Sequence, residues 1–372
     1  MYNVSQIKIN QNIEVFLRMQ HLNNPIVRST TRFVAMLFIC FSTQATAFEY
    51  LQPLPDSPII PKNNLQSEKK ISLGKQLFFD NRLSSDGTVS CNSCHNLAAS
   101  GDAEGGALNM KSRGIKRNVP SIWNIGHMST YYWDARATSL EAQAIDHMLD
   151  PRIMDMSNEA KLVERLNSIE GYRLAFKAAF KDKKLSANNI AKALAAFERT
   201  LNTPDSQFDK YIKGDKSQLS ESAKRGLTLF NDKGCLSCHF GVNFAGPAPG
   251  PALKMGDGFY EMFPNYRGTY YEEKYHFVDD LGRYHVTLDP EDKVMWRVPS
   301  LRNVIHTAPY FHNGAVNDIH EAVRIMSKAQ FNYDISETEV KDVVSFLESL
   351  TGIYPNISIP RLPEKNGSSL IE

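Results

Sequence analysis

The sequence predicts a mainly α protein built from two copies of one unit, and three observations predict it. The pentapeptide Cys91-Asn92-Ser93-Cys94-His95 returns as Cys235-Leu236-Ser237-Cys238-His239. Val119-Pro120-Ser121 returns 179 positions later as Val298-Pro299-Ser300, and at that offset Asn124, His127 and Tyr131–Asp134 match Asn303, His306 and Tyr310–Asn313. Elsewhere apolar residues recur mostly at helical spacing, with little convincing strand pattern. Gly74–Phe78 before the first pentapeptide also resembles Gly226–Phe230 before the second. A duplicated unit explains all of this, with a longer insertion in the second copy.

The 372 residues are enough for two ordinary domains. Charge is balanced, 42 Lys+Arg against 41 Asp+Glu, so no nucleic-acid partner is expected. At the N-terminus, Arg28 and Arg32 precede the apolar run Phe33–Phe41, followed by Ala45-Thr46-Ala47. That order reads as a signal peptide over 1–47, with Met19 an alternative start and a periplasmic destination. The run is too short to span a bilayer. Cys40 falls inside it; a lipidated Cys40 is the alternative, disfavoured by its bulky neighbour Ile39.

Residues 48–66 contain Pro53, Pro55, Pro58 and Pro61 and read as an extended lead-in. An N-terminal domain is expected over 67–210, a C-terminal one over 211–355, and a tail over 356–372, mobile from Arg361. Within them, Ser100–Gly114 reads as a Gly-rich loop. Helices are expected at Thr138–Met148, Asn158–Phe180, Ala187–Leu201, Ser220–Phe230, Ile319–Ser327 and Glu337–Leu350. Phe240–Met295 is aromatic and rich in Gly and Pro, and reads as a structured loop.

Two thiols three positions apart with an imidazole directly after are the attachment signature of a c-type haem. The thiols add across the vinyl groups and the histidine ligates the iron. A four-thiolate zinc site or a redox disulfide would also use the paired cysteines, but neither calls for the histidine. The two copies use four of the five cysteines, so two covalent haems are expected.

Leu73–Asp80, Arg82–Cys91, Tyr132–Ala137 and Trp296–Met326 together resemble the bacterial di-haem cytochrome c peroxidases, including relatives that mature a tryptophan-derived quinone in another protein. The resemblance implies two cytochrome c-like domains facing each other, each with one haem c. It makes Cys91, Cys94, Cys235 and Cys238 the attachment residues, and His95 and His239 the proximal ligands. Met326 becomes the distal ligand of the second haem, which serves as the electron-entry site. Trp133 falls where the family has a tryptophan between the haems, and Gln143 on a distal-pocket position. Asn118, Thr307 and Pro309 fall where the family binds calcium, the last two through backbone carbonyls. A homodimer is also implied.

Two departures stand out. Many relatives carry a histidine on the loop after the first pentapeptide that caps the iron until reduction releases it; here Met110 takes that place. Either Met110 ligates weakly or the first haem is five-coordinate and open, and the second is favoured because a Gly-rich loop holds a ligand poorly. The family's catalytic glutamate is replaced by Ile153, which moves no proton. His147, Asp150 and Asp155 are the nearby titratable alternatives. The leading expectation is reduction of hydrogen peroxide with electrons from a small cytochrome c or cupredoxin, slower than in a glutamate-containing relative. Peroxide-driven oxidation of a partner protein's Tyr or Trp is the first alternative; Met326 stands against it, since relatives of that type usually cap the second haem with tyrosine. A non-catalytic di-haem electron carrier, with Met110 as ligand, is the second.

Overall fold

The computed structural model describes residues 51–102, 114, 116–246 and 260–364. The expected signal peptide, Cys40, Met110 and the last eight residues lie outside the described residues.

Four helices make the frame, two in each half. In the first half, α1 (Glu68–Phe79) crosses a helix at Ala187–Glu198. Between them in sequence come a one-turn α2 (Cys91–Cys94), α3 (Leu140–Leu149), α4 (Glu159–Asn167) and α5 (Glu170–Ala179), so the Ala187–Glu198 helix is α6. The second half follows with α7 (Gln207–Ile212), α8 (Glu221–Asp232), α9 (Tyr270–Tyr275), α10 (Tyr284–Thr287), α11 (Ile319–Phe331) and α12 (Glu337–Glu348). There α8 crosses α12 as α1 crosses α6. Serine side chains start all four framing helices: Ser67, Ser186, Ser220 and Ser336 each accept a hydrogen bond from a first-turn amide.

The repeat is visible at atomic level. A methyl group on Gly74 would stand 1.9 Å from the Ala193 carbonyl oxygen, and one on Gly226 would stand 1.9 Å from that of Asp342. Both crossings therefore need glycine, because two backbones touch there. Asn124 and Asn303 both adopt left-handed backbone, φ 63° and 60°. Their side-chain amides both donate to Thr203 Oγ1, at 2.8 and 2.9 Å, so one buried hydroxyl joins the two halves.

Each half has its own apolar core. Leu73, Leu77, Phe78, Leu194 and Phe197 belong to the first, and Leu227, Phe230, Phe244, Phe346 and Leu347 to the second. A third cluster around Trp133, Phe277 and Trp296 lies where the two halves meet the insertion. The only sheet among the described residues is the antiparallel ribbon β1 (Tyr260–Met262) with β2 (Met295–Arg297), inside that insertion.

Two expectations need correction, the helix over Asn158–Phe180 and a tail mobile from Arg361, and the lead-in has contacts of its own. The helix predicted over Asn158–Phe180 is two helices, broken at Ser168-Ile169. Ile169 there is extended and almost wholly buried, so the break turns one more apolar side chain inward. The lead-in does more than approach the first half: Leu51 is buried in the second core, and Asn64 bonds Glu141 and Lys192 of the first. The tail is anchored through Pro363, since Arg82 donates to the Pro363 carbonyl at 2.9 Å and Gln76 to that of Arg361 at 2.9 Å. Glycine and proline content alone does not reveal such anchoring.

Candidate haem sites

Each pentapeptide forms a single helical turn. In the first, Ser90 and Ser93 cap α2 reciprocally and the His95 amide donates to the Cys91 carbonyl at 2.9 Å. In the second, Cys235–Ser237 is a 3-10 turn and the His239 amide donates to Cys235 at 2.9 Å. No disulfide joins the four pentapeptide cysteines. Burial pushes the Cys235 thiol up to about 12 and that of Cys91 higher still.

Both histidines are presented alike. His239 Nδ1 lies 2.8 Å from the Phe244 carbonyl, and His95 Nδ1 lies 3.3 Å from that of Gly101. An Nδ1–H donated to a carbonyl leaves Nε2 as the metal-binding atom. Burial lowers both to about 4, so both are neutral, as ligation requires. The repeated Val-Pro-Ser segments now have a role. Ser121 Oγ donates to the Ser100 carbonyl at 2.7 Å, and Ser300 Oγ to that of Asn243 at 2.9 Å. Each serine fastens the loop that follows its own pentapeptide.

A large, mostly apolar cavity fills the second half. His239, Cys235 and Cys238 line it, and so does Met326, from α11. Arg297 lines it too. This buried guanidinium donates only to carbonyls, Tyr132 at 2.9 Å and Val298 at 3.2 Å, with no ion pair among the described residues. His312 Nε2 and Trp296 Nε1, stacked ring on ring at 3.9 Å, are buried polar atoms without hydrogen-bond partners among the described residues. Buried polar groups ordinarily have partners, so an anionic group is expected inside. The residues fit a haem: thiols and imidazole together, a thioether in the same cavity, an apolar wall, and unmatched polar groups for propionates.

Trp133 lies between the halves. Its Nε1–H donates to the Asn118 carbonyl at 2.8 Å, and its own carbonyl accepts from Arg297 at 2.8 Å. Its ring centre is 6.4 Å from that of His312. Asn118, Thr307 and Pro309 also come together on the cavity wall, with the Asn118 amide 2.5 Å from the Pro309 carbonyl. Among the described residues no cluster of His, Cys, Asp or Glu suits a metal, so a cation here would rest on neutral oxygens.

At the first site, Gln143 and His147 stand one turn apart on α3 with their side chains hydrogen-bonded to each other. The His147 ring is 6.4 Å from His95 and 5.0 Å from Tyr132, centre to centre. Asp150 is paired with Arg152 at 2.7 Å, which lowers its pKa, and Asp155 is exposed near Ser85. Ile153 packs against the first core. Of the three titratable candidates, His147 alone faces His95. The sequence reading missed Glu198, a buried carboxyl at the end of α6 whose pKa burial raises to about 7 and whose charge acts on Cys91. Only its position in an alanine-rich, otherwise buried helix could have signalled it.

The family model described as di-haem cytochrome c peroxidase matches residues 68–217, and the one described as cytochrome c matches 223–351. The chain is 37% identical over 331 residues to the cytochrome c551 peroxidase of Pseudomonas aeruginosa, covering 86% of this chain and 89% of that protein. The chain belongs to the di-haem cytochrome c peroxidase family. Within it, the methylamine utilization protein MauG of Methylophilus methylotrophus is 33% identical, over 83% of this chain and 90% of its own length. The crystal structure of a MauG-like protein associated with microbial copper homeostasis superposes with a TM-score of 0.65 at 28% identity, covering 82% of this chain and 94% of that one. A di-haem peroxidase of this family is an oxidoreductase, and two cytochrome c domains support two haem c groups. Among the described residues no helix is long and apolar enough to cross a membrane.

Proposed function

We propose that this family member reduces hydrogen peroxide to water in the periplasm, taking electrons from a small cytochrome c or cupredoxin. Haem c, attached at Cys91/Cys94 and Cys235/Cys238, would supply the redox chemistry: H2O2 plus two electrons and two protons gives two waters. His95 and His239, each with Nδ1 turned to a carbonyl, would hold the irons through Nε2. The observation that carries the reading is Met326. A thioether shares the second cavity with His239, and such ligation raises a potential, which suits a site that accepts electrons from a donor. It also weighs against oxidation of a partner protein, for which tyrosine is the expected ligand.

Residues 67–210 form the domain where peroxide reacts, and residues 211–355 the domain that receives electrons. Trp133, held by both halves, positions an aromatic ring between the sites. Arg297, which bonds the Trp133 carbonyl through its amide and lines the cavity, places positive charge beside it for propionates. Asn118, Thr307 and Pro309 would hold calcium where the halves meet. With isoleucine at 153, general acid–base help from the family's glutamate is gone, which typically slows a reaction by ~10²–10⁴. Stopped-flow oxidation of reduced cytochrome c by peroxide tests the reading; no acceleration over the uncatalysed rate, in half-reduced and calcium-loaded protein, refutes it.

A further inference from the structure

The first haem site brings a second histidine to the proximal one. His95 and His147 present their rings to one another with centres 6.4 Å apart and planes at 61°. His95 Nδ1 is turned to the Gly101 carbonyl and His147 Nδ1 to the Gln143 side chain, so Nε2 is the ligating atom left on each ring. Two imidazoles bound on opposite sides of one metal, each at ~2 Å, hold their centres ~6 Å apart. A histidine that only exchanged protons with a peroxide bound between it and the iron would need roughly 3 Å more. The spacing fits ligation and leaves no layer for substrate.

We propose that His147 is the sixth ligand of the haem iron at the first site, opposite His95. The surroundings are those of a fixed ligand. His147 projects from α3, whose first turn is capped by the Ser139 side chain, and not from a loop. Gln143, one turn earlier, meets Nδ1; with its amide oxygen turned to the ring it accepts Nδ1–H and leaves Nε2 bare. Tyr132 packs on the ring and is itself covered by the Arg136 guanidinium at 3.3 Å. The capping role that relatives give to a loop histidine has passed, in this chain, to a helix. This deepens the reading that peroxide reacts at the first site and rests on it: peroxide reaches the iron only when His147 leaves, so α3 has to shift or fray near Asp150.

The test uses the ferric, haem-loaded protein, comparing His147→Gly and His147→Met with the parent by electron paramagnetic resonance and near-infrared magnetic circular dichroism. In the parent, both haems should be low-spin, one bis-imidazole and one imidazole–thioether. In His147→Gly the bis-imidazole signature should disappear, and one haem should become high-spin in about nine-tenths of molecules or more. Added imidazole should restore it, and His147→Met should give a second thioether signature. The untouched His239/Met326 signature in each sample reports correct folding. A high-spin haem already present in the parent, or a His147→Gly spectrum unchanged from the parent, overturns the assignment. Peroxide turnover, measured separately on the same samples, separates the two ideas. Spectra as expected without turnover leave the ligand in place and remove the function beneath it; turnover with unchanged spectra does the reverse.

Discussion

Alanine at Gly226 should damage the second haem site selectively. Its new methyl carbon would lie 1.9 Å from the Asp342 oxygen and 2.5 Å from the Asp342 carbonyl carbon, whereas carbon and oxygen settle at roughly 3.4 Å. The obstructing atoms are backbone, so no rotamer change relieves them, and α8 and α12 must part by about 1.5 Å. Overpacking of this kind costs ~3 kcal/mol, and alanine's better helix propensity returns ~1 kcal/mol. The net loss of ~2 kcal/mol lowers Tm by about 4–8 °C for a domain of this size. Gly74→Ala meets Ala193 in the same way and should damage the first site instead. Thermal unfolding of the haem-loaded protein, followed at the Soret band and by circular dichroism, measures the stability change. Room-temperature spectra show which haem is disturbed. Equal or raised Tm in both variants would refute the close-crossing argument, and disturbance of the same haem in both would refute the duplication.

Four further outcomes are expected. Met326→Ala should lower the higher of the two reduction potentials, read by redox titration; an unchanged potential would remove Met326 as ligand. Gly101→Ala should weaken the first site, because Gly101 has φ 73° and a methyl there meets Trp123 at 2.7 Å, displacing the carbonyl that holds His95; the spectrum of the first haem reports it. Asp209→Asn breaks an ion pair wholly buried with Arg302 at 2.8 Å and should cost ~3–5 kcal/mol, measured by denaturant unfolding. Glu198 has a folded pKa of about 7, raised by burial, so folding takes up a proton between the unfolded value and pH 7. Stability from this group is therefore fullest at acid pH and is lost as pH rises through 7. Glu198→Gln should flatten that fall and raise stability at pH 8 by ~3 kcal/mol, read from unfolding curves at pH 5 and 8.

Much of the fold and of the haem attachment was legible because the chain writes its unit twice. Gly74 and Gly226, Asn124 and Asn303, and the two Val-Pro-Ser segments occupy matching places for matching physical reasons. The paired pentapeptides also declared their chemistry, since the histidine after the second cysteine has no purpose in a zinc site or a disulfide. What stayed hidden depends on long-range geometry. Arg297 reads as an ordinary arginine until the structure shows it buried, its side chain bonded to carbonyls and, among the described residues, in no ion pair. The break at Ile169 interrupts a sound helical pattern for the sake of one buried side chain. His147 was one of three candidates along the sequence, attractive for its pKa, and only the fold turned Asp150 to Arg152, left Asp155 outside and brought the imidazole to His95.

The most direct measurement is stopped-flow mixing of H2O2 with the half-reduced, calcium-loaded protein in the presence of reduced cytochrome c. A peroxidase of the kind proposed oxidises two cytochromes for each peroxide, at a rate that saturates with donor. Donor oxidation no faster than in buffer, with both haems still low-spin after half-reduction, would contradict it and leave an electron carrier.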